Sequence, residues 1–444
     1  MKLNKTQTIL IGFAFLAISA FWQMYDNVIP LILTNTFKMR DSFQGIIMSL
    51  DNVLALFLLP VFGTLSDKTH TKIGKRMPFI LAGTAAASVL AIIIPLIDNS
   101  YATAATTSKF VMFVVFLGLL LIAMGTYRSP AVALMPDLTP KAYRSQGNAI
   151  INLMGALGAI FILIVSAVLY SDSKVAGLAH VNYMPLFGIV VGIMVISVIV
   201  LFCTINENKI LATLPKEEDD IAIERKSTGN ESGSVFKTMP KAMRRSFFGI
   251  LFSVAFWYMG YNAVTSSFTK FAQKEWGMEL GSASMCLTIA TAVAVLSYIP
   301  VGFISSKIGR KKSILGGVLI LCGSFAGLFV CSLLLDSFIA PMYIFLALIG
   351  FSWAAINVNS LPMVVEMATE DEIGKFTGYY YSFSMAAQVA TPILSNLLLD
   401  FVSYKTLFIY AALFVFFSFL TMLLVQHGDN KPNPLDVLEQ DIDL

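Results

Sequence analysis

The chain has 444 residues and a formal net charge of +3; 57% of its residues are hydrophobic and only 13% are charged. Soluble proteins carry about a quarter charged residues, so this composition excludes a water-soluble globular protein. It indicates instead a protein embedded in a lipid bilayer.

Twelve apolar stretches each approach or exceed the roughly 20 residues that one membrane span requires. Backbone groups in lipid must pair within their own segment, so each stretch is predicted to be a helix. The first is too long for a signal-peptide core and lacks a small-residue cleavage site, so we expect it to be retained. The stretches lie near residues 8–34, 44–65, 79–97, 109–134, 147–170, 184–205, 246–272, 282–305, 313–335, 341–365, 375–399 and 406–426.

Successive connections between the predicted helices lie on opposite sides of the membrane, and one side carries more Lys and Arg residues than the other. The positive-inside rule places the richer set, and with it both termini, in the cytoplasm of a multi-pass cell-membrane protein. Of the 30 Lys and Arg residues, seven fall on the outer set: Lys38, Arg40, Lys109, Lys174, Lys270, Lys274 and Lys405.

A polar segment separates the sixth predicted helix from the seventh, and it is typical of a flexible linker between two bundles. The acidic C-terminal run is typical of a solvated end, and we assign it no function. The predicted parts are an N-terminal six-helix bundle (1–205), a cytoplasmic linker (206–245), a C-terminal six-helix bundle (246–427) and an acidic cytoplasmic tail (428–444).

The two halves repeat a loop signature, which indicates duplication and a pseudo-two-fold relation. Lys75 and Arg76 can pair with Asp137 in a charge cluster that holds one conformational state, or the basic residues only anchor topology. Gly63 would let helices approach closely. The candidate cytoplasmic gate residues are Gly63, Asp67, Lys75, Arg76, Asp137 and Arg144 in the first half, and Gly302, Arg310, Lys311 and Glu366 in the second.

The second-half loop, residues 302–312, resembles the G-x-x-x-D-R-x-G-R-R signature of the major facilitator superfamily, with Ser306 in place of the usual Asp. In the first half, Gly74 follows Asp67 by seven positions instead of three. That longer loop, closed by G-K-R-x-P, is similar to the glycoside-pentoside-hexuronide:cation symporters and the related sucrose transporters. The resemblance implies an all-α fold of twelve helices in two bundles, and secondary transport.

Three charged residues, Asp26, Asp51 and Arg128, lie well inside predicted spans, away from their ends. A charge near the bilayer centre costs at least about 2.5 kcal/mol on insertion scales, so each is a functional candidate. Burial disfavours a carboxylate anion, which makes Asp26 and Asp51 candidate proton-coupling sites. Either carboxyl group would otherwise serve as a structural hydrogen-bond partner.

Arg128 has three possible roles: a counter-ion for either Asp, a ligand of an anionic substrate, or a neighbour of a neutral sugar. Sodium-coupled members of the similar family carry carboxylates on the second helix, where this chain has Ala55 and Leu59. This departure from the family's pattern favours protons over sodium as the coupling ion.

Sugar recognition combines hydroxyl-bonding groups with an aromatic face, and several predicted helices offer both at helical spacing. The aromatic residues would otherwise belong to interfacial belts. The candidate substrate-binding residues are Trp22, Gln23, Arg128, Asn148, Asn152, Trp257, Tyr261, Asn262, Trp353, Asn357, Tyr381 and Gln388.

The sequence favours a monomeric secondary transporter that moves a sugar or glycoside by alternating access coupled to protons. An exporter or carrier of a drug-like or anionic solute is the main alternative, and a non-transporting sensor is another. The four Cys and three His residues show no metal or nucleophile spacing, so we expect no enzyme, no metal and no cofactor. Expected partners are the small-molecule substrate, protons and lipid, with no nucleic acid.

Overall fold

The computed structural model describes residues 4–139, 144–213, 240–367 and 373–429. These ranges form helices and connecting turns without a strand, so the all-α prediction is confirmed. Twelve of their helices are long and apolar enough to cross a membrane, as predicted. They are α1 (Lys5–Leu31), α2 (Asp41–Asp67), α3 (Met77–Thr103), α4 (Thr107–Asp137), α5 (Arg144–Leu169), α6 (Met184–Thr204), α7 (Lys241–Trp276), α8 (Leu280–Ile308), α9 (Arg310–Leu334), α10 (Met342–Val365), α11 (Ile373–Phe401) and α12 (Thr406–Leu423).

Three short elements extend or follow the long helices. A π-helical turn, Ile32–Thr36, continues α1, and four-residue and seven-residue helices occupy Asp172–Val175 and Glu207–Thr213. The predicted linker (206–245) therefore begins as a helix and ends inside α7, while its residues 214–239 lie outside the described residues. Of the predicted tail, 430–444 also lies outside them.

The chain divides into two compact units. Unit 1 comprises Met1–Met39 and Leu50–Lys237, and unit 2 comprises Arg40–Ser49 and Thr238–Leu444. The first residues of α2 thus group with unit 2, which the sequence did not predict. The four-part division proposed from the sequence stays a prediction.

Glycines set the closest helix contacts inside each unit, because a Cβ atom there would collide with a neighbouring backbone. In unit 1, a Cβ on Gly83 would lie 2.7 Å from the Tyr127 nitrogen of α4, and one on Gly158 would lie 2.2 Å from the Leu16 oxygen of α1. In unit 2, Gly350 approaches the Ala290 oxygen of α8 in the same way, at 2.1 Å. Backbones of small residues can pack this closely in membrane helices.

Candidate functional site

In unit 1, four predicted gate residues meet where α2 and α4 end and α3 begins. This Arg76 cluster consists of Asp67, Lys75, Arg76 and Asp137. The Arg76 Nε donates to Asp137 Oδ2 at 2.8 Å, and its Nη2 donates to Asp67. Lys75 Nζ lies 3.0 Å from the same Asp137 oxygen. The Arg76 side chain is only 5% exposed, so its charge is balanced inside the protein rather than by water.

A third carboxylate, which was not predicted from the sequence, holds the start of α3. Glu207 is fully buried and accepts from the backbone N–H groups of Lys75 (3.0 Å), Arg76 (3.0 Å) and Met77 (3.3 Å). These donors have no partner within the helix, so a carboxylate at this N-terminus satisfies them and the helix dipole together. Gly74, at φ 112°, turns the chain there, and a Cβ on it would lie 2.0 Å from the carboxylate.

In unit 2, the related residues form a smaller Arg310 cluster of Arg310, Glu366 and Asp429. Arg310 Nη1 donates to Glu366, and Asp429 Oδ1 accepts from the Arg310 backbone N–H at 2.6 Å. Lys311, predicted to act with them, instead donates to the Leu423 carbonyl at 3.3 Å. Asp429 belongs to the tail to which we assigned no function, yet it caps α9.

The two predicted gate glycines differ in their surroundings. A Cβ on Gly63 would lie 3.3 Å from the Ser129 hydroxyl, whereas one on Gly302 would meet nothing within 4 Å. Gly302 instead borders a cavity of about 220 Å³ that Ser306 and Arg310 also line. The Arg144 side chain lies outside the part that can be described.

The intramembrane charges of unit 1 interact with one another, and Arg128 also lies beside Trp22. The Arg128 guanidinium lies 5.5 Å from the Trp22 ring centroid and within electrostatic range of both Asp26 and Asp51. Asp51 accepts from the Asn52 amide at 2.9 Å. Among the residues that the structure describes, no carboxylate lies within 4.0 Å of the Arg128 nitrogens, so the role of Arg128 as a counter-ion stays a prediction.

The other unit 1 candidates take different positions. Gln23 is partly buried on α1, and Asn148 and Asn152 are exposed on α5. Tyr25, which the sequence analysis passed over, is fully buried and interacts electrostatically with Asp26 and Asp51. A hydroxyl beside both carboxyl groups makes Tyr25 part of the same polar set.

In unit 2, Tyr261 and Trp353 stack with ring centroids 3.7 Å apart and an interplanar angle of 3°. Tyr258, which the sequence analysis also missed, meets the Trp353 ring edge-on at 5.3 Å and interacts with the half-exposed Tyr381. Trp257, which we predicted as a binding residue, is fully buried in the helix packing. The binding role of Trp257 stays a prediction, and its neighbour Tyr258 is the residue that contacts the Trp353 ring.

The remaining amide candidates of unit 2 are engaged mainly with their own helices. Asn357 and Gln388 donate to backbone carbonyls one turn earlier, at 3.2 and 3.3 Å. The partly buried Asn262 has an amide nitrogen without a hydrogen-bond partner among the described residues. Asn262 is thus the amide most available to a ligand.

Lys270, counted from the sequence among outer-loop residues, is 1% exposed in unit 2. Its ammonium group donates to Asp41 (2.9 Å), Gln44 (3.2 Å) and Asn396 (2.5 Å), which uses all three of its N–H bonds. Asp41 also accepts from the Tyr404 hydroxyl. This network fastens the first turn of α2 within unit 2.

A search of the described residues finds no group of three or more His, Cys, Asp or Glu side chains placed to hold a metal. The twelve long apolar helices define a multi-pass membrane protein, and several of these helices carry charged and aromatic side chains. This is the architecture of a secondary transporter.

The model of the Major Facilitator Superfamily matches residues 11–334 and 247–440, and the chain belongs to this family. It is therefore a transporter rather than an enzyme, as predicted. A nucleoside transporter, NupG, covers 96% of this chain and 100% of its own with a TM-score of 0.62 at 16% identity. A POT family peptide transporter covers 96% and 99% with a TM-score of 0.68 at 13% identity. These likenesses show the fold alone.

One sequence match is more specific. Over 137 residues the chain is 32% identical to sucrose transport protein SUC3 of Arabidopsis thaliana. The match covers 28% of this chain and 23% of that protein, so the chain spans about a quarter of the length of the curated relative it matches.

Proposed function

We propose that the chain is a proton-coupled symporter of a sugar or glycoside that works by alternating access. The observation that carries this proposal is the unit 1 set of Trp22, Arg128, Asp26 and Asp51. An aromatic face beside a guanidinium suits a ring that carries hydroxyl groups. Two partly buried carboxyl groups nearby suit the binding and release of a proton. The partial match to a sucrose transport protein supports the sugar class.

In this proposal, Asp26 or Asp51 carries the coupling proton, and Tyr261, Trp353 and Asn262 of unit 2 contribute to substrate binding. The Arg76 and Arg310 clusters act as cytoplasmic gates, and the protein is a cell-membrane monomer with both termini in the cytoplasm. A reporter fused after Leu444 that is active on the cytoplasmic side supports this topology, and one active only outside contradicts it.

The test is uptake of labelled sugars and glycosides by proteoliposomes under an imposed proton gradient. We expect accumulation that collapses with a protonophore and is unchanged by sodium. Asp26→Asn or Asp51→Asn should abolish accumulation but spare substrate exchange at equal gradients, because Asn keeps the shape and loses the titration. Asp336→Asn, an exposed loop residue, is the control. Normal accumulation in both variants, or uptake of no sugar, contradicts the proposal.

A second candidate is a carrier of an anionic solute, and one observation favours it. Arg128 has no carboxylate within 4.0 Å among the described residues, so its guanidinium is available to a ligand anion. If it binds substrate, Arg128→Gln should fold normally and lose affinity, with no rescue by Asp51→Asn. If it is a counter-ion, the single variant should be destabilised and the second change should restore folding in part.

A further inference from the structure

A buried carboxyl group of unit 1 takes no part in the proposed transport site. Asp98 lies near the end of α3 that is farthest from Arg76, and none of its surface is exposed. Neither of its carboxylate oxygens has a hydrogen bond of normal geometry within the described ranges, and the Thr36 hydroxyl is its polar neighbour on the π-helical turn. An isolated buried carboxylate is costly enough that it takes up a proton or a cation.

The group that faces Asp98 is a histidine from the connection between α5 and α6. His180 Nε2 lies 3.6 Å from Asp98 Oδ2 and 2.8 Å from Asn99 Oδ1, and the side chain is 24% exposed. The Asn99 amide donates to Asn182 Oδ1 at 2.8 Å, and that oxygen also accepts from the Met184 N–H at the start of α6. The buried carboxyl group is therefore joined to solvent by one imidazole.

Two other titratable residues, Lys109 and Tyr170, contact the segments that carry this pair. Lys109 of α4 directs its ammonium group to the Ser100 and Ala104 carbonyls, at 2.7 and 2.8 Å. Tyr170 donates to the Asn182 carbonyl at 3.2 Å, and burial raises its pKa to about 12, so it stays protonated at neutral pH. Lys109 and Tyr170 are therefore engaged with backbone carbonyls rather than with the Asp98–His180 pair.

We infer that Asp98 and His180 form a proton-binding site, separate from Asp26 and Asp51, that fastens the α5–α6 connection to the end of α3. With one proton, the pair is either an ion pair or two neutral groups, and neither form leaves a net buried charge. Loss of that proton leaves an uncompensated carboxylate with no exposed surface, so the folded protein retains it. The bound proton keeps His180 against Asn99 and the start of α6.

This arrangement sets the sign of the pH dependence. In an unfolded chain, Asp loses its proton near pH 3.9 and His near pH 6.5, about their ordinary pKa values. Above about pH 6.5 the unfolded pair holds no proton while the folded pair holds one. Stability falls with rising pH wherever the folded state binds more protons, so this contribution is lost as the pH rises from about 6.5.

The experiment is thermal unfolding of the purified full-length protein in nanodiscs, in steps of pH from 4 to 9. We expect the wild-type midpoint temperature to fall above about pH 6.5. In Asp98→Asn the midpoint temperature should no longer fall as the pH rises, because a buried amide needs no proton. In that variant burial lowers the pKa of His180, so its stability should instead fall as the pH drops below about 6.5.

His180→Gln gives an independent outcome, since its ring is partly exposed and the variant should fold. The remaining carboxyl group must hold its own proton, so the midpoint temperature should begin to fall near pH 4 instead of pH 6.5, about the ordinary pKa of Asp. His70→Gln, at an exposed loop histidine, should leave the wild-type profile unchanged. A wild-type profile in Asp98→Asn, or an unchanged onset in His180→Gln, overturns the site. If Asp98→Asn does not fold, the pH at which the midpoint temperature of His180→Gln begins to fall tests the proposal by itself.

Discussion

The Arg76 cluster of unit 1 and the Arg310 cluster of unit 2 occupy related loops and differ in how their guanidinium groups are enclosed. Arg76 contacts two carboxylates and the Ser66 hydroxyl, and its side chain is 5% exposed. Arg310 contacts one carboxylate, and its side chain is 37% exposed. A buried charge depends on its partners far more than one that water can solvate.

The difference begins with one residue. Asp67 supplies the second carboxylate of the Arg76 cluster, whereas the related position in unit 2 is Ser306, whose hydroxyl donates to its own helix at the Phe303 carbonyl. The space beside Ser306 and Arg310 is the cavity of about 220 Å³. The two copies of the signature thus contribute unequally, and the unit 2 loop costs less to rearrange.

The largest expected effect is the loss of the buried guanidinium. Arg76→Gln leaves Asp67 and Asp137 with Lys75 alone, and it should reduce the unfolding free energy by about 3 to 5 kcal/mol. Arg310→Gln removes a partly solvated pair and should cost less than about 1 kcal/mol. Unfolding in mixed micelles measures both, with the exposed Lys312→Gln as the control for lost charge. Equal losses at the two arginines would contradict the comparison.

The carboxylates that cap α3 and α9 should also differ in their contribution to stability, in the same direction as the two arginines but by a smaller amount. Glu207→Gln removes a buried carboxylate that accepts three N–H groups and should cost about 1 to 2 kcal/mol, typical of an N-cap. Asp429→Asn weakens one such bond and should cost under about 1 kcal/mol.

Amide hydrogen exchange locates these losses. We expect faster exchange at Lys75 to Met77 in Glu207→Gln and a smaller change at Arg310 in Asp429→Asn. Unchanged protection at residues 75–77 would show that Glu207 does not hold the start of α3.

The smallest expected effect is a gain in stability. Ser306→Asp supplies the missing carboxylate beside Arg310 and should raise the unfolding free energy by up to about 1 kcal/mol, the range of a partly exposed ion pair. Ser306→Asn has the same size without the charge and should be close to neutral. If both variants stabilise the protein equally, filling of space rather than charge explains the gain.

Much of this architecture follows from the sequence. Membrane spans are long apolar helices because lipid leaves backbone groups no other partner, so all twelve were predictable. The meeting of Arg76 with Asp137 followed from the repeated signature. The Glu207 cap did not, because its partner Arg76 lies 131 positions earlier and no local pattern joins the two segments.

Helix faces and burial were harder to predict. On α7, Tyr261 shares a helix face with Trp257, four positions earlier, and equally with Tyr258, three positions earlier. Because the helix is apolar on most sides, its sequence does not reveal which of these faces lines a site. The sequence therefore could not show whether Trp257 lines a site or is buried between helices. Lys270 was counted with the outer-loop residues, and its burial could not be predicted because the partners that make it possible come from distant segments.

The Arg76 cluster also bears on how the protein is made. The connection from α2 to α3 carries Lys68, Lys72, Lys75 and Arg76, but two of its neutralising carboxylates, Asp137 and Glu207, are 61 and 131 positions downstream of Arg76. During synthesis this loop therefore emerges strongly positive, at the stage when charge sets the orientation of the early helices. Its charge is cancelled only after α4 and α6 have been made. The same side chain would first direct insertion and afterwards complete the fold.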